Sequence, residues 1–421
     1  MKKILTFVYC LLSIASTTLV GCKSDKDEVE QTNKSLRTVL IYIAGENNLS
    51  SYAPIQLNQI KIGSNNLGQN NLLVYVDQAK PKELPYLAKV ANGQLVDSVS
   101  IADMKISSSD VYSGDPKVMK EVLKYAFEHY PAENNDYGLV LWGHADGWMI
   151  ERDSIVYSGN ARKLAYGGDT GNNIAGATMK RWLNIPTMKT VINSLGYPLT
   201  FIFADCCNFM CLESLYELKE CAKYIIGSPA EIPGCGAPYE KVVPAMFSRN
   251  ADFYKQIVDA YYAQTVDGQK CPLTAVQSSG MPAVAEATSN LLQAIVSNIP
   301  GWDAAALENH HLDMKNRVYY YDTDKCAMYD AQDFLKSYST MYALEGEFNE
   351  WKKAVDNAIV YRKYAERWVT NYHVIFSEFT NSEENTCGLS MFVPQASNTQ
   401  LNMLISYMGW YYAAGYNKIG W

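Results

Sequence analysis

Four short segments of this 421-residue chain are apolar at nearly every position: Thr38 to Ala44 (TVLIYIA), Asn71 to Val76 (NLLVYV), Tyr137 to Trp142 (YGLVLW) and Leu199 to Ala204 (LTFIFA). A strand with one face in water alternates apolar with polar residues, so a strand without alternation must be covered on both faces. Helical patterns lie between these runs. Pro116 to His129 has the apolar spacing of a helix, with Asp115 as its N-cap. Thr178 to Leu195 reads as helical, started or kinked at Pro186. Asn208 to Cys221 reads as an amphipathic helix, and Tyr224 to Gly227 as a short strand. Tyr86 to Val90 and Gln94 to Ser100 read as a hairpin turning at Asn92-Gly93. Buried strands separated by helices predict an α/β sandwich around a mostly parallel sheet. From about Cys271 the pattern is mostly helical, closing on a strand-like Gly388 to Val393 and an aromatic tail.

The N-terminus reads as an address. Lys2 and Lys3 precede an apolar stretch from Ile4 to Val20, and Leu19-Val20-Gly21-Cys22 resembles a bacterial lipobox. The expectation is a signal peptide over 1–21, lipidation at Cys22, and a flexible polar tether over 22–36. The protein would then be a cell-envelope lipoprotein held to a membrane through Cys22. Asp25, Asp27, Glu28 and Glu30 resemble a surface-export signal, which points to the outer membrane and its exposed side. After Cys22 no run is long and apolar enough to span a bilayer. The formal net charge of −8 excludes a nucleic-acid partner, which would call for a basic face.

In an open parallel sheet, ligands bind beyond the carboxyl ends of the strands. Two segments bring reactive residues there. His144 follows the Leu139–Trp142 strand between Gly143 and Gly147, and Cys207 follows the Leu199–Ala204 strand. A thiol at a helix N-terminus feels the positive end of the dipole, which favours thiolate. An imidazole beside it can take the thiol proton and later protonate a leaving amine. The other histidines suit this role less. His129 lies at a helix end, His310 and His311 in a polar segment, and His373 in an apolar run. Taken alone, the pair also reads as a core cysteine and a structural histidine. No C-x-x-C pairs suggest zinc, and no EF-hand-type loop is present.

Longer patterns carry a family resemblance. Asp205-Cys206-Cys207-Asn208-Phe209-Met210, followed by Glu213 and Tyr216-Glu217-Leu218, resembles the Asp-Ala-Cys-Leu-Met pattern of the clostripain family of cysteine peptidases. Gly227-Ser228 to Glu231, then Pro233-Gly234 and Gly236-Ala237-Pro238-Tyr239, resembles its Ser-x-Glu…Pro-Gly…Gly-x-x-Tyr continuation. The His144 segment, Tyr42 to Leu49, and Gly388 to Pro394 resemble three further motifs in the same order. Cys206 stands where the family has alanine, Ala145 where it has glycine, Asn208 where it has leucine, and Glu46 where it has aspartate. Two adjacent thiols therefore compete as nucleophile, and Cys207 is the one that matches the motif.

The resemblance implies a caspase-like α/β/α sandwich over 37–270 and a mainly helical C-terminal subdomain over 271–421 packed on it. It implies hydrolysis of peptide bonds in peptide or protein substrates, after Arg or Lys, through an acyl-enzyme. His144 would be the acid–base and Cys207 the nucleophile, with the backbone N–H groups of Ala145 and Cys207 as oxyanion donors. Asp205 and Glu231 would bind the substrate's basic side chain. Asp205 also reads as an N-cap for the following helix, and Glu231 as a loop carboxylate in water. The stretch Glu151 to Thr178 reads as an exposed loop with Arg162 and Lys163 as self-cleavage sites. The resemblance implies no organic cofactor and names no metal ligand, although some clostripain relatives use calcium. Two other readings stay open: an inactive family member that binds, and a glycan-binding lipoprotein built on the tyrosine clusters.

Overall fold

The structure is a computed structural model that describes residues 34–80, 83–107, 111–150, 166–169, 181–263, 271–303, 320–322, 328–365, 367–370, 375–378, 385–395 and 399–421. The signal peptide, Cys22, nearly all of the tether, and Arg162 and Lys163 lie outside the described residues. So do His310, His311 and His373. Residues 34–421 form one compact unit.

The strands are β1 (Thr38–Gly45), β2 (Asn71–Gln78), β3 (Tyr86–Ala91), β4 (Gln94–Ser100), β5 (Tyr137–Ala145), β6 (Tyr166–Asp169), β7 (Arg181–Leu183), β8 (Leu199–Asp205), β9 (Ala222–Gly227) and β10 (Leu273–Gln277), followed by β11 (Tyr320–Asp322), β12 (Met328–Asp330), β13 (Ile359–Lys363), β14 (Arg367–Thr370), β15 (Ile375–Glu378) and β16 (Ser390–Phe392). The central sheet runs β13-β10-β9-β8-β5-β1-β2-β3-β4, with β6 and β7 attached beside β5. Its middle is parallel, from β9 through β8, β5 and β1 to β2, and its edges are antiparallel. The four apolar runs are four of these five central strands.

Each central strand sends alternate side chains to opposite faces, and both faces are packed. Val39, Ile41 and Ile43 meet helices α1 (Ala53–Gly63) and, further along the chain, the pair Tyr239–Met246 and Phe253–Tyr262. Leu40, Tyr42 and Ala44 meet α2 (Pro116–His129), α3 (Ile185–Asn193), α4 (Leu212–Glu217) and helices of the C-terminal part. Coverage on both sides is what removed the alternation from the sequence. The mixed α/β class with a mostly parallel central sheet is therefore as expected.

Local signals behave as their chemistry dictates. Asp115 Oδ1 accepts from the Lys117 N–H at 2.8 Å and caps α2. Asn92 and Gly93 both take positive φ in the β3–β4 turn. Three expectations need correction. The helix after Cys207 does not start at Asn208. It spans only Leu212–Glu217, because Asn208 has φ +56 and turns the chain out of helical geometry. The segment from Thr178 to Leu195 is not helical throughout: Arg181–Leu183 is a strand, and the helix begins at Ile185, with Pro186 in its first turn. The Glu151–Thr178 stretch is not loop throughout, since Tyr166–Asp169 is the buried strand β6. Its Tyr166 hydroxyl donates to the carbonyls of Tyr42 and Trp142, both at 3.1 Å, and that anchors it against β1 and β5. In the C-terminal part, strands join the helices: β10 and β13 extend the central sheet, and β11, β12 and β16 form a sheet of their own.

Candidate active site

The site follows from the register of β5 and β8. They pair in parallel, with Leu141 opposite Ala204 and Trp142 opposite Asp205. His144 and Cys207 each lie two residues past this last pair, at the carboxyl edge of the sheet. Parallel neighbours carry the same residue count to the same height, so the ladder brings both segments out at one edge.

His144 is held on two sides. Its backbone pairs with Gly167 of β6. Its Nε2 lies 2.6 Å from Oδ1 of the exposed Asn48, just past β1. An amide oxygen accepts, so Nε2 carries the proton and Nδ1 is the basic nitrogen. In the sequence Asn48 stands only within the Tyr42–Leu49 motif, with nothing local to mark it as a partner of His144. The signal available was that β1 is the other parallel neighbour of β5. Gly143 has φ +147, and a Cβ there would come 2.9 Å from the Ala44 carbonyl oxygen. Only glycine lets the strand turn this close to β1. Ala145, which replaces a glycine in the pattern, is the last residue of β5 and does not have a positive φ. Alanine is therefore unstrained there.

The two thiols separate by environment. Cys206 is buried at 1% exposure, and burial pushes its thiol well above the usual range. Cys207 is half-buried. The Ile232 N–H donates to Cys207 Sγ at 3.3 Å. The loop after β9 runs along the Cys207 segment, with Asn208 N–H on the Ala230 carbonyl and Met210 N–H on the Ser228 carbonyl, both at 3.0 Å. Glu231, read as a second substrate-binding carboxylate or else as a loop carboxylate in water, is buried within this loop. Because α4 starts at Leu212, Cys207 lacks the helix dipole expected for it; its described donor is the Ile232 N–H. On the far side, β16 docks against the same segment. Ser390 N–H donates to the Met210 carbonyl at 3.0 Å, and Phe392 N–H to Glu213 Oε1 at 2.8 Å.

Asp205 is buried and is not a helix N-cap, because the helix begins seven residues later, at Leu212. Its Oδ2 accepts from the Ala237 N–H and from the Tyr239 hydroxyl, both at 2.9 Å. Gly236, with φ +59, lets the loop press on it; a Cβ there would come 2.8 Å from Oδ2. Its Oδ1 is buried and has no hydrogen-bond donor. Burial pushes the carboxyl up to about 6, against the pull of its two donors.

That shift has a consequence for stability. A carboxyl whose folded pKa is raised favours folding below its unfolded pKa of about 3.9 and loses that contribution as pH climbs through about 6. Asp205→Asn should therefore stabilise the fold at pH 7.5 by about 3 kcal/mol, and most of the gain should vanish near pH 4. Thermal unfolding of both proteins across that range checks it, and an equal difference at every pH would refute the assigned burial.

Comparison with known proteins now adds to this geometry. The model of the clostripain family matches residues 41–421. A secreted C11 cysteine protease from Bacteroides thetaiotaomicron, solved with an irreversible peptide inhibitor, is similar at 27% identity and TM-score 0.70, over 91% of this chain and 99% of that one. An inactive zymogen C11 protease from Parabacteroides distasonis is similar at 25% identity and TM-score 0.70, over 90% and 98%. A second secreted protease of Bacteroides thetaiotaomicron, iotapain, shares the fold at 15% identity and TM-score 0.66, over 90% and 99%. No curated protein matches the chain. With the family model spanning nearly the whole sequence, and a matching sheet that carries a histidine and a cysteine at one edge, the chain belongs to the clostripain family of cysteine peptidases.

Proposed function

We propose that this peptidase cleaves after Arg or Lys with Cys207 as nucleophile and His144 as general acid–base. The observation that carries the reading is that both residues follow by two positions the same last paired rung of β5 and β8, with Cys207 the accessible thiol of its pair. Nδ1 of His144 takes the thiol proton as Sγ attacks the scissile carbonyl, and returns it to the leaving amine. The acyl-enzyme then yields to water by the reverse sequence. The backbone N–H groups of Ala145 and Cys207 stabilise the oxyanion. Asn48 fixes the ring and its tautomer. The Ile232 N–H at Sγ suits an anionic sulfur.

Asp205 gives the preference for a basic side chain. Its Oδ1 is buried without a donor, and a guanidinium or ammonium supplies one. Glu231, buried in the adjoining loop, adds a second carboxylate to that neighbourhood. Cys207→Ala and His144→Ala should each abolish hydrolysis of fluorogenic Arg and Lys peptides while the far-ultraviolet spectrum stays unchanged, and Cys206→Ala should keep most activity. Asp205→Asn should lower kcat/KM on Arg and Lys peptides by about 100-fold, the size expected when a charged partner is removed from a desolvated site. An active Cys207→Ala protein, or equal turnover of Ala and Arg peptides by the wild type, would overturn the assignment.

The same preference makes the chain its own substrate. Arg162 and Lys163 lie in a glycine-containing stretch between the His144 and Cys207 segments. The zymogen form of the Parabacteroides distasonis relative supports a precursor stage here. Wild type and Cys207→Ala, purified side by side, should differ: new N-termini after Arg162 or Lys163 are expected in the wild type only. The same cut in the Cys207→Ala protein would assign it to another protease, and a fully active, intact wild type would make it dispensable.

The lipobox-like leader supports a cell-envelope lipoprotein anchored through Cys22, on the outer membrane. Metabolic labelling with an alkyne fatty acid should mark the wild type and not Cys22→Ser, and the variant should leave the membrane fraction. An unmodified mature N-terminus downstream of Cys22 would contradict the anchor.

A further inference from the structure

Asp205, proposed above as the partner of the substrate's basic side chain, meets its surroundings unevenly. Its Oδ2 already accepts two hydrogen bonds, from the Ala237 N–H and from the Tyr239 hydroxyl, both at 2.9 Å. Gly236 closes off the same oxygen: a Cβ there would come 2.8 Å from Oδ2 and 2.9 Å from Trp142 Nε1. Its Oδ1 is buried and has no donor. Tyr239, which the peptidase reading leaves without a role, is itself fixed. It is fully buried, it is the first residue of the helix Tyr239–Met246, and its N–H donates to Gln59 Oε1 of α1 at 2.9 Å. Gln56 of α1 donates from Nε2 to the Cys235 carbonyl, so α1 holds this loop at two points.

A carboxylate oxygen has two lone-pair directions. Two donors fill those of Oδ2, so Asp205 presents one oxygen rather than two. The cations that compete for it differ in shape. A guanidinium is a planar fork of five N–H donors, matched by both oxygens of a carboxylate side by side. An ammonium is a point charge with three donors, and one oxygen suffices for it. Nearby polar groups do not make up the difference. Trp142 Nε1 is a donor, the Cys235 thiol near the carboxylate is a weak acceptor, and Glu231 already has a partner of its own. A guanidinium buried here would keep N–H groups unpaired, and each lowers its affinity.

We propose that Tyr239 is a positioning residue that restricts Asp205 to a single free oxygen, Oδ1, and so sets the preference at the cleavage site toward lysine over arginine. The inference rests on the assignment of Asp205 to the basic pocket and deepens it. Tyr239 acts on the substrate only through this carboxylate. With its hydroxyl removed, Asp205 is held at Oδ2 by the Ala237 N–H alone. The carboxyl can then turn about its Cβ–Cγ bond, whose rotation is broad, and present both oxygens to a fork.

The test compares internally quenched peptides that are identical except at the residue before the scissile bond, which is lysine, arginine or norleucine, the uncharged analogue of lysine. The full chain is assayed as wild type and as Tyr239→Phe, which keeps the ring. For the wild type, kcat/KM should be at least about fivefold higher with lysine than with arginine. Tyr239→Phe should shrink that ratio at least about fivefold, through KM rather than kcat, because the bond to Asp205 serves binding. A hydroxyl that served packing alone would change both substrates alike, and an unmoved ratio would refute the role of Tyr239. Arginine turned over as well as lysine by the wild type would refute the single-oxygen argument without any variant, so the test holds even if Tyr239→Phe does not fold. Norleucine turned over as well as lysine would instead remove the basic-pocket assignment on which the inference rests.

Discussion

The parallel pairing of β5 with β8 is the constraint on which the rest of the molecule depends. It sets Trp142 beside Asp205, and so brings His144, near the end of β5, and the turn at Cys207 to the same edge of the sheet. Neither is free to move along its strand. A slip of one residue would exchange the two faces of a strand that is buried on both, exposing one packed layer to the wrong neighbour. The cost of such a slip falls on the whole core, so the chemistry at the edge inherits the rigidity of the sheet. Packed helices on both faces keep the strands in place, and the loops beyond the carboxyl ends carry what varies.

Those loops are held by specific bonds. The loop after β9 gives Cys207 Sγ an N–H from Ile232 and clasps Asp205 through Ala237 and Tyr239. The turn after β1 supplies Asn48 to His144, and β6 closes over the other side of the same strand. The final strand β16 reaches back to the segment behind Cys207 through Met210 and Glu213. Glu213 is fully buried, so this clasp lies deep in the core, and burial pushes its carboxyl up to about 7. Residues far apart in sequence thus converge on one sheet edge. This explains why the family pattern is a series of short motifs in order: each is a separate loop reaching the same place.

The central strands could be read from the sequence because burial on two faces erases alternation, and Asp115 and Asn92-Gly93 could be read because caps and turns are local. His144 and Cys207 stood out as strand-end residues, and the resemblance separated Cys207 from Cys206 by position. Their burial in the fold differs in the same sense. What could not be read depends on contacts distant in sequence. Asn208 looked like the first turn of a helix, and only its left-handed backbone delays the helix to Leu212. Tyr166–Asp169 looked like loop because two glycines break any period, yet the Tyr166 hydroxyl anchors it as a strand. Tyr239 lies 34 residues after Asp205, and no local pattern announces that its hydroxyl meets that carboxylate. Asn48 gains its part only through the β1–β5 pairing.

The central claim is that Cys207, and not the adjacent Cys206, is the sulfur that attacks. It is tested most directly by incubating the enzyme with an irreversible peptidyl-arginine ketone and mapping the adduct by tandem mass spectrometry. The account predicts one adduct per chain, on Cys207 Sγ, formed much more slowly in His144→Ala and absent when the protein is first unfolded. An adduct on Cys206, or labelling of Cys207 at the same rate with and without His144, would contradict it.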